Sequence, residues 1–328
     1  MKAVRFILGL LSIIAGVCPA GAQSVTLYTA GPAGLAKGMA KSFTEKSGIK
    51  VEVYQATSGD VLARLEAEKG NPRGDVVVLA SWGEGLSVRD RGLVESYHSP
   101  EAKKLRPEWV DGGLAAQGGA ALAFVANATQ VSKEQQPRSW FDLTAALWKD
   151  GLTMPDPTLS GSAAEFIAVF TQVHGEKAWK FFAELARNGL IVPGPNRAAL
   201  NPVLSGAKKG TLAGVDYISY EQIAKGEKLA VHYPNEGTVV ALRPVFVQKG
   251  APHRDEAKKL VDFMLSDEGQ NLVAKTYMIP ARFDIRAQRP APGEFKMLSP
   301  DWDYVKKNQT QLVSRFREEI VEQIIQKR

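Results

Sequence analysis

The chain has 328 residues, of which 45% are hydrophobic, and a formal net charge of +6. This length and apolar content suffice for a buried core and indicate two lobes of ordinary domain size. The positive charge is modest and interspersed with acids, and no basic run alternates with stacking aromatics, so nucleic acid is not expected as a partner. A small anionic ligand is compatible with this charge.

The N-terminus carries the pattern of an export signal. Lys2 and Arg5 precede an apolar stretch at 6–17, which is too short to span a bilayer, and Ala20-Gly21-Ala22 matches a cleavage site. We therefore predict a signal peptide at residues 1–22 and a periplasmic mature protein. Loss of its two cations lowers the net charge from +6 to +4.

Motifs of catalysis and metal binding are missing from the sequence. The single cysteine, Cys18, lies in the predicted signal peptide, so the mature chain has neither a disulfide nor a thiol nucleophile. The sequence contains no Gly-x-Ser-x-Gly or His-Glu-x-x-His, and its four histidines are scattered. We therefore expect no enzyme and no cofactor.

The first part of the mature chain alternates strands with helices. Strands are predicted at 24–29, 51–54 and 75–80. Ligands of open α/β sheets bind beyond the C-terminal ends of the strands. The residues that follow these ends, and that we predict to contact a ligand, are Thr29, Ala30, Ser58, Gly59 and Ser81. The alternative is that these hydroxyls only cap turns.

A second set of candidates lies where a loop leads into a helix. After a strand at 113–127, a helix around Trp140 to Trp148 and a short strand at 152–154, the loop ends in Ser160-Gly161-Ser162-Ala163. Apolar residues at helical spacing follow, so the first turn presents unpaired N–H groups that attract anions. Ser58-Gly59 also begins a helix, and we predict that the two starts are opposite walls of one cleft. Plain helix capping is the alternative.

The chain then crosses back towards its first part. A strand is predicted at 211–216, ending in Asp216, and a short helix with Tyr217 and Tyr220 near its start follows at 217–225. A long strand is predicted at 238–247. Asp216 could pair with a ligand amine or hydroxyl, or be a buried structural acid. The two tyrosines could face the ligand or pack between lobes.

Two such crossovers are typical of a hinge. We predict an α/β protein with residues 23–124 and 245–328 in the first lobe and 125–244 in the second.

The order of these pieces resembles periplasmic solute-binding proteins of ABC importers, in the group that binds ferric ion, phosphonates and sugar phosphates. The matching segments cover nearly the whole mature chain: Leu27-Tyr28-Thr29-Ala30, Ser58 to Leu65, Gly74-Asp75-Val76, Asp156-Pro157 with Ser160-Gly161-Ser162, Tyr233-Pro234-Asn235, and Val261 to Gln270. The resemblance implies the two-lobe type II fold with two hinge crossovers and a cleft between the lobes. It also implies a monomer that delivers its solute to an inner-membrane ABC permease.

Within this group the chain resembles 2-aminoethylphosphonate-binding proteins more than ferric-binding ones. Gly214-Val215-Asp216 and Pro300-Asp301-Trp302-Asp303 are similar to elements of the phosphonate binders. Ferric-binding members have an adjacent tyrosine pair, whereas Tyr217 and Tyr220 are three residues apart. Iron held by these two tyrosines stays open as an alternative, as does an exported phosphoryl-transfer or hydrolytic enzyme.

Overall fold

The structure is a computed structural model that describes residues 23–326, so the predicted signal peptide with Cys18 lies outside the described residues. The described strands are β1 (Ser24–Thr29), β2 (Lys50–Gln55), β3 (Val76–Val78), β4 (Val110–Asp111), β5 (Leu114–Asn127), β6 (Leu152–Thr153), β7 (Gly210–Val215), β8 (Leu229–His232), β9 (Val240–Val247) and β10 (Ile279–Pro280).

The helices between them cover both faces of the sheet. They are α1 (Ala33–Ser47), α2 (Ser58–Ala67), α3 (Trp82–Asp90), α4 (Gly161–His174), α5 (Glu176–Arg187), α6 (Asn196–Leu204), α7 (Asp216–Ala224), α8 (Arg254–Leu265), α9 (Asp267–Lys275), α10 (Trp302–Phe316) and α11 (Glu322–Gln326). No helix among residues 23–326 is both long and apolar enough to cross a membrane.

Strand β5 joins the two lobes. Its residues 115–121 pair with β9 in the first sheet, where the order is β2-β1-β3-β9-β5. Its residues 122–127 pair with β7 and β8, which belong to the second sheet. Every residue of β5 is buried, and its alanines and glycines let neighbouring backbones approach closely. The two-lobe α/β fold is thereby confirmed.

The first sheet is parallel except at the crossovers. β1 pairs in parallel with β2 and β3, and β9 returns antiparallel between β3 and β5. The short run Val76-Val77-Val78 is at most 1% exposed, as expected for a strand covered on both faces. This arrangement places the ends of β1, β2 and β3 at one edge, which faces the second lobe.

The predicted helix around Trp140 to Trp148 is wrong. The chain there forms two 3₁₀ turns, at Trp140–Thr144 and Ala146–Trp148. Ala145 between them is extended, with ψ 155°, so no α-helical hydrogen bonding can continue across it. The apolar spacing reflects packing instead, since Trp140 and Trp148 are both at most 2% exposed.

Helix α10, near the C-terminus, packs against α4 of the second lobe as well as α3 of the first. Phe316, at its end, meets Phe182 of α5 at 5.2 Å between ring centroids. Helix α10 therefore contacts elements on both sides of the predicted lobe division, whereas α8 and α9 pack on the first lobe.

Candidate ligand-binding site

The two predicted serine–glycine helix starts meet between the lobes. A Cβ atom added at Gly161 would lie 2.8 Å from the Ser58 hydroxyl oxygen and 2.9 and 3.0 Å from the carboxylate oxygens of Glu84. Glycine allows this approach without displacing either side chain, because a real Cβ contact below 3.0 Å is a steric clash. The starts of α2, α3 and α4 therefore share one crevice.

Backbone donors at both helix starts are unused. Thr57 caps α2 by accepting from the Asp60 N–H, and Ser160 caps α4 by accepting from the Ala163 N–H. The N–H groups of Ser58, Gly59, Gly161 and Ser162 make no hydrogen bond to any residue in the range 23–326. They can bind an anion in the crevice.

The hydroxyls of Ser160 and Ser162 are held in place by an asparagine. Asn196 donates to Ser160 at 2.8 Å and to Ser162 at 3.3 Å, and the two hydroxyls are 3.0 Å apart. Asn196 in turn accepts from the Val215 N–H at 3.2 Å. Ser160 therefore caps α4 and is itself held in place by Asn196. Ser162 is 1% exposed and lies beside the unused N–H groups.

Arg243, on β9, brings a buried cation into the crevice. It is 3% exposed, donates to the Ala30 carbonyl at 3.2 Å and lies 3.5 Å from the Tyr217 hydroxyl. Its Nε has no partner, and no carboxylate of the described residues lies within ion-pairing distance of it. A buried charge without a counter-charge is costly, and it is typically retained for a ligand that supplies that charge.

Arg243 was not among the residues predicted to contact the ligand, although the sequence carries a signal for it. It is the only charged residue in the otherwise apolar strand Val240–Val247. A charge in the middle of a buried crossover strand is improbable as a structural choice, and this is what could have identified it.

Thr29 and Ala30 shape the crevice through their backbone. Thr29 Oγ1 accepts from the Gly31 N–H at 2.9 Å, and the Ala30 N–H donates to the Val78 carbonyl at 2.8 Å. The Ala30 carbonyl is left for Arg243. These residues therefore position the arginine.

Ser81 is engaged by a carboxylate of the other lobe. Its hydroxyl and the Trp82 N–H each lie 2.6 Å from Glu165 Oε2, so a side chain of α4 occupies the start of α3. Glu165 is 0% exposed, and burial raises its pKa to about 8 against the opposing effect of these hydrogen bonds. The arrangement is a direct hydrogen-bonded contact between the lobes.

Asp216 is buried in a polar cluster. It pairs with Arg289 at 2.6 Å and accepts from the Tyr233 hydroxyl at 2.7 Å, while its Oδ1 has no partner. Burial raises the pKa of Asp216, and the Arg289 charge opposes that rise. The cluster accounts for a structural role of Asp216 and leaves one acceptor oxygen free.

Tyr217 and Tyr220 point to different partners. The Tyr217 hydroxyl lies at Arg243, whereas the Tyr220 hydroxyl lies 3.0 Å from that of Tyr233. Burial raises the pKa of both phenols, which disfavours phenolate. No group of three or more His, Cys, Asp or Glu residues in the range 23–326 is placed to hold a metal ion.

A groove of about 440 Å³ adjoins the crevice. It is lined by Gly59 and Glu84 of the first lobe, Thr158 and Ala164 of the second, and Gln309 of α10. The shared crevice is thus connected to the surface along the line where the lobes meet.

Residues 87–308 match the family model of bacterial extracellular solute-binding proteins. That match covers more than half of the chain. The chain belongs to this family. Members bind small solutes and act with ABC permeases, so the protein is a solute-binding component of an ABC importer.

Relatives of this solute-binding protein are named for different ligands. It is 26% identical over 299 residues to a putative 2-aminoethylphosphonate-binding periplasmic protein of Salmonella typhimurium, covering 84% of each chain. It is 25% identical over 299 residues to iron uptake protein A1 of Synechocystis, covering 85% of this chain and 82% of that one.

A solved structure of the same fold contains a sugar phosphate. The periplasmic binding protein AfuA of Actinobacillus pleuropneumoniae, with fructose-6-phosphate bound, matches with a TM-score of 0.82 and 26% identity. The match covers 91% of this chain and 98% of that one. These relatives are transport proteins, and their ligands include both anions and iron.

Proposed function

We propose that this solute-binding protein captures a small phosphonate or phosphate ester, such as 2-aminoethylphosphonate, in the periplasm and delivers it to an inner-membrane ABC permease. The observation that carries the proposal is Arg243, a guanidinium that is 3% exposed and has no carboxylate partner among the described residues. Free N–H groups of α2 and α4 lie at the same crevice, so donors converge from both lobes.

The same geometry argues against ferric ion. Iron bound by Tyr217 and Tyr220 needs two phenolates close together, but their hydroxyls bond Arg243 and Tyr233 respectively. The Arg243 charge would also repel a trivalent cation. Each of these contacts favours an anion.

Capture follows from closure about the two crossover strands. An anion that touches Ser58-Gly59 on one lobe and Gly161-Ser162 on the other binds the closed form better than the open form, so it shifts the population towards closure. Asp216, through its free Oδ1, is the acceptor we assign to an amine or hydroxyl of the same solute. Delivery to the permease would follow from its recognition of the closed lobes.

The test is calorimetric titration of the mature protein with 2-aminoethylphosphonate, glucose-6-phosphate, inorganic phosphate and ferric citrate. We expect an organic phosphonate or phosphate ester to bind with dissociation constants in the micromolar range or below, as an ion-paired, hydrogen-bonded anion should. Binding of iron alone, with a tyrosinate charge-transfer band, would replace the proposal by the ferric one. Turnover of a phosphate ester would favour an enzyme.

Gly161→Ala tests whether the crevice closes on the ligand. The new methyl group would lie within 3.0 Å of Ser58 and Glu84, so either these side chains must rotate or the interface must open slightly. A penalty of about 1 to 2 kcal/mol on the closed form would weaken phosphonate binding by roughly 5- to 30-fold. Calorimetric titration measures this loss.

The matched control is Gly38→Ala, in α1, where an added Cβ meets nothing within 4 Å. It should leave the affinity unchanged and, as an alanine in a helix, not lower the melting temperature. Equal affinities for the two variants would mean that the ligand does not need this contact between the lobes.

A further inference from the structure

We propose that Glu84 takes part in anion capture by sharing one proton with the bound phosphonate or phosphate ester, so that binding is linked to proton uptake. The inference rests on the proposed function, because it concerns the same crevice. It adds Glu84, a residue that was not among the ligand contacts predicted from the sequence.

Glu84 of α3 lies beside the start of α4. Its carboxylate oxygens lie 2.9 and 3.0 Å from the Cβ position of Gly161, the first residue of α4. One of them, Oε2, is buried and has no partner among residues 23–326. The Glu84 carboxyl therefore lies beside the first residue of α4, whose N–H group makes no hydrogen bond to the described residues.

The charges around Glu84 favour a shared proton when an anion binds. Arg243 is the cation that acts on Glu84, and it lowers the pKa of that carboxyl, but burial outweighs it and raises the pKa to about 7. A bound dianion and an ionised Glu84 carboxylate would then lie together beside the single guanidinium of Arg243. Like charges in such a site do not both stay ionised, so one proton must be held between them.

Few other groups near Glu84 could make ligand binding depend on pH. Ser58 of α2 and Arg243 of β9 both lower the pKa of this carboxyl, and Gly161 of α4 lies beside it. Glu165 of α4 is the nearby carboxyl: it accepts from Ser81 and the Trp82 N–H, and the charge of Glu84 raises its pKa. Two further cations, Arg91 and Lys306, line the same groove as Glu84. A variant of each carboxyl separates their contributions.

The shared proton comes from the solute or from solvent, so no further reactant is needed. A phosphoryl group has its second ionisation near pH 6, so the solute brings the proton below that pH and solvent supplies it above. An O–H···O⁻ bond between the solute and Glu84 then replaces repulsion by a short charge-assisted hydrogen bond. Glu84 would therefore select solutes that can share a proton.

The experiment is titration of the mature protein with 2-aminoethylphosphonate between pH 7.5 and 9, in two buffers of different ionisation enthalpy. The wild type should take up about one proton per solute, and its affinity should fall about tenfold per pH unit. Glu84→Gln should take up almost none and lose this slope, and it should bind more tightly than the wild type at pH 9 because an amide donates to the dianion.

Two control variants separate the effect of Glu84 from that of other carboxyl groups. Glu108→Gln, at an exposed site, should behave as the wild type, and Glu165→Gln should keep the slope. Absence of proton uptake by the wild type, or loss of the slope in Glu165→Gln alone, overturns the inference while phosphonate binding stands. Failure of the wild type to bind any phosphonate or phosphate ester between pH 6 and 9 overturns the proposed function as well.

Discussion

Arg243→Met should abolish measurable binding of a phosphonate while leaving the protein folded and, without ligand, at least as stable as the wild type. The side chain is 3% exposed and forms no ion pair with a described residue, so removing the charge removes a desolvation cost. The same change removes the cation of the site, and two charge-assisted hydrogen bonds contribute on the order of 3 to 5 kcal/mol. Affinity should therefore fall by roughly 10² to 10³-fold or more.

Calorimetry with 2-aminoethylphosphonate measures the affinity, and thermal unfolding without ligand measures the stability. The control is Arg187→Met on α5, which removes a solvent-exposed arginine whose side chain is 58% exposed. It should change neither quantity appreciably. Retention of wild-type affinity by Arg243→Met would contradict the assignment of the anion site.

Glu165→Gln should stabilise the ligand-free protein at alkaline pH and have little effect in acid. The pKa of Glu165 is raised to about 8 in the folded protein from its ordinary value of 4.5, so the folded state holds this proton more tightly than the unfolded state. This contribution is fully present below about pH 4.5 and is lost as the pH rises through about 8. Glutamine keeps an oxygen that can accept from Ser81 and Trp82, and it does not ionise.

We expect the variant to exceed the wild type by on the order of 3 kcal/mol in free energy of unfolding at pH 9, and by less than about 1 kcal/mol at pH 5. Denaturant unfolding at both pH values measures the difference. Glu227→Gln, at an exposed site, is the control and should show no such pH-dependent gain. A gain of equal size at both pH values would mean that Glu165 is not a buried proton site.

The positions of the two serine–glycine helix starts were predictable because local chemistry determines them. Thr57 and Ser160 cap helices through their own side chains, and the glycine and serine that follow carry the unused N–H groups in any protein with that local sequence. Their convergence was a hypothesis from the order of strands and helices. The 2.8 Å approach of the Gly161 Cβ position to Ser58 places them in one crevice.

The carboxyl groups of the site could not be assigned from the sequence. Glu84 lies in the first turn of α3, where an acid is ordinarily a solvated partner of the helix dipole, and Glu165 is the fifth residue of α4. Glu165 is fully buried and Glu84 partly buried because α3 of one lobe and α4 of the other pack together and α10 lies across both. The hydrogen bond between Ser81 and Glu165 results from the same packing, whereas Tyr217 meets Arg243 because α7 lies beside β9.

The sequence by itself determined the α/β class, the two crossovers and the helix starts that present backbone donors, because periodicity, turn residues and caps act over a few neighbouring residues. Only the tertiary structure decided which side chains share the crevice and how they are charged. Arg243, Glu84 and Gly161 are up to 159 residues apart along the chain, and a pKa or an ion pair depends on distances in space that no local pattern encodes.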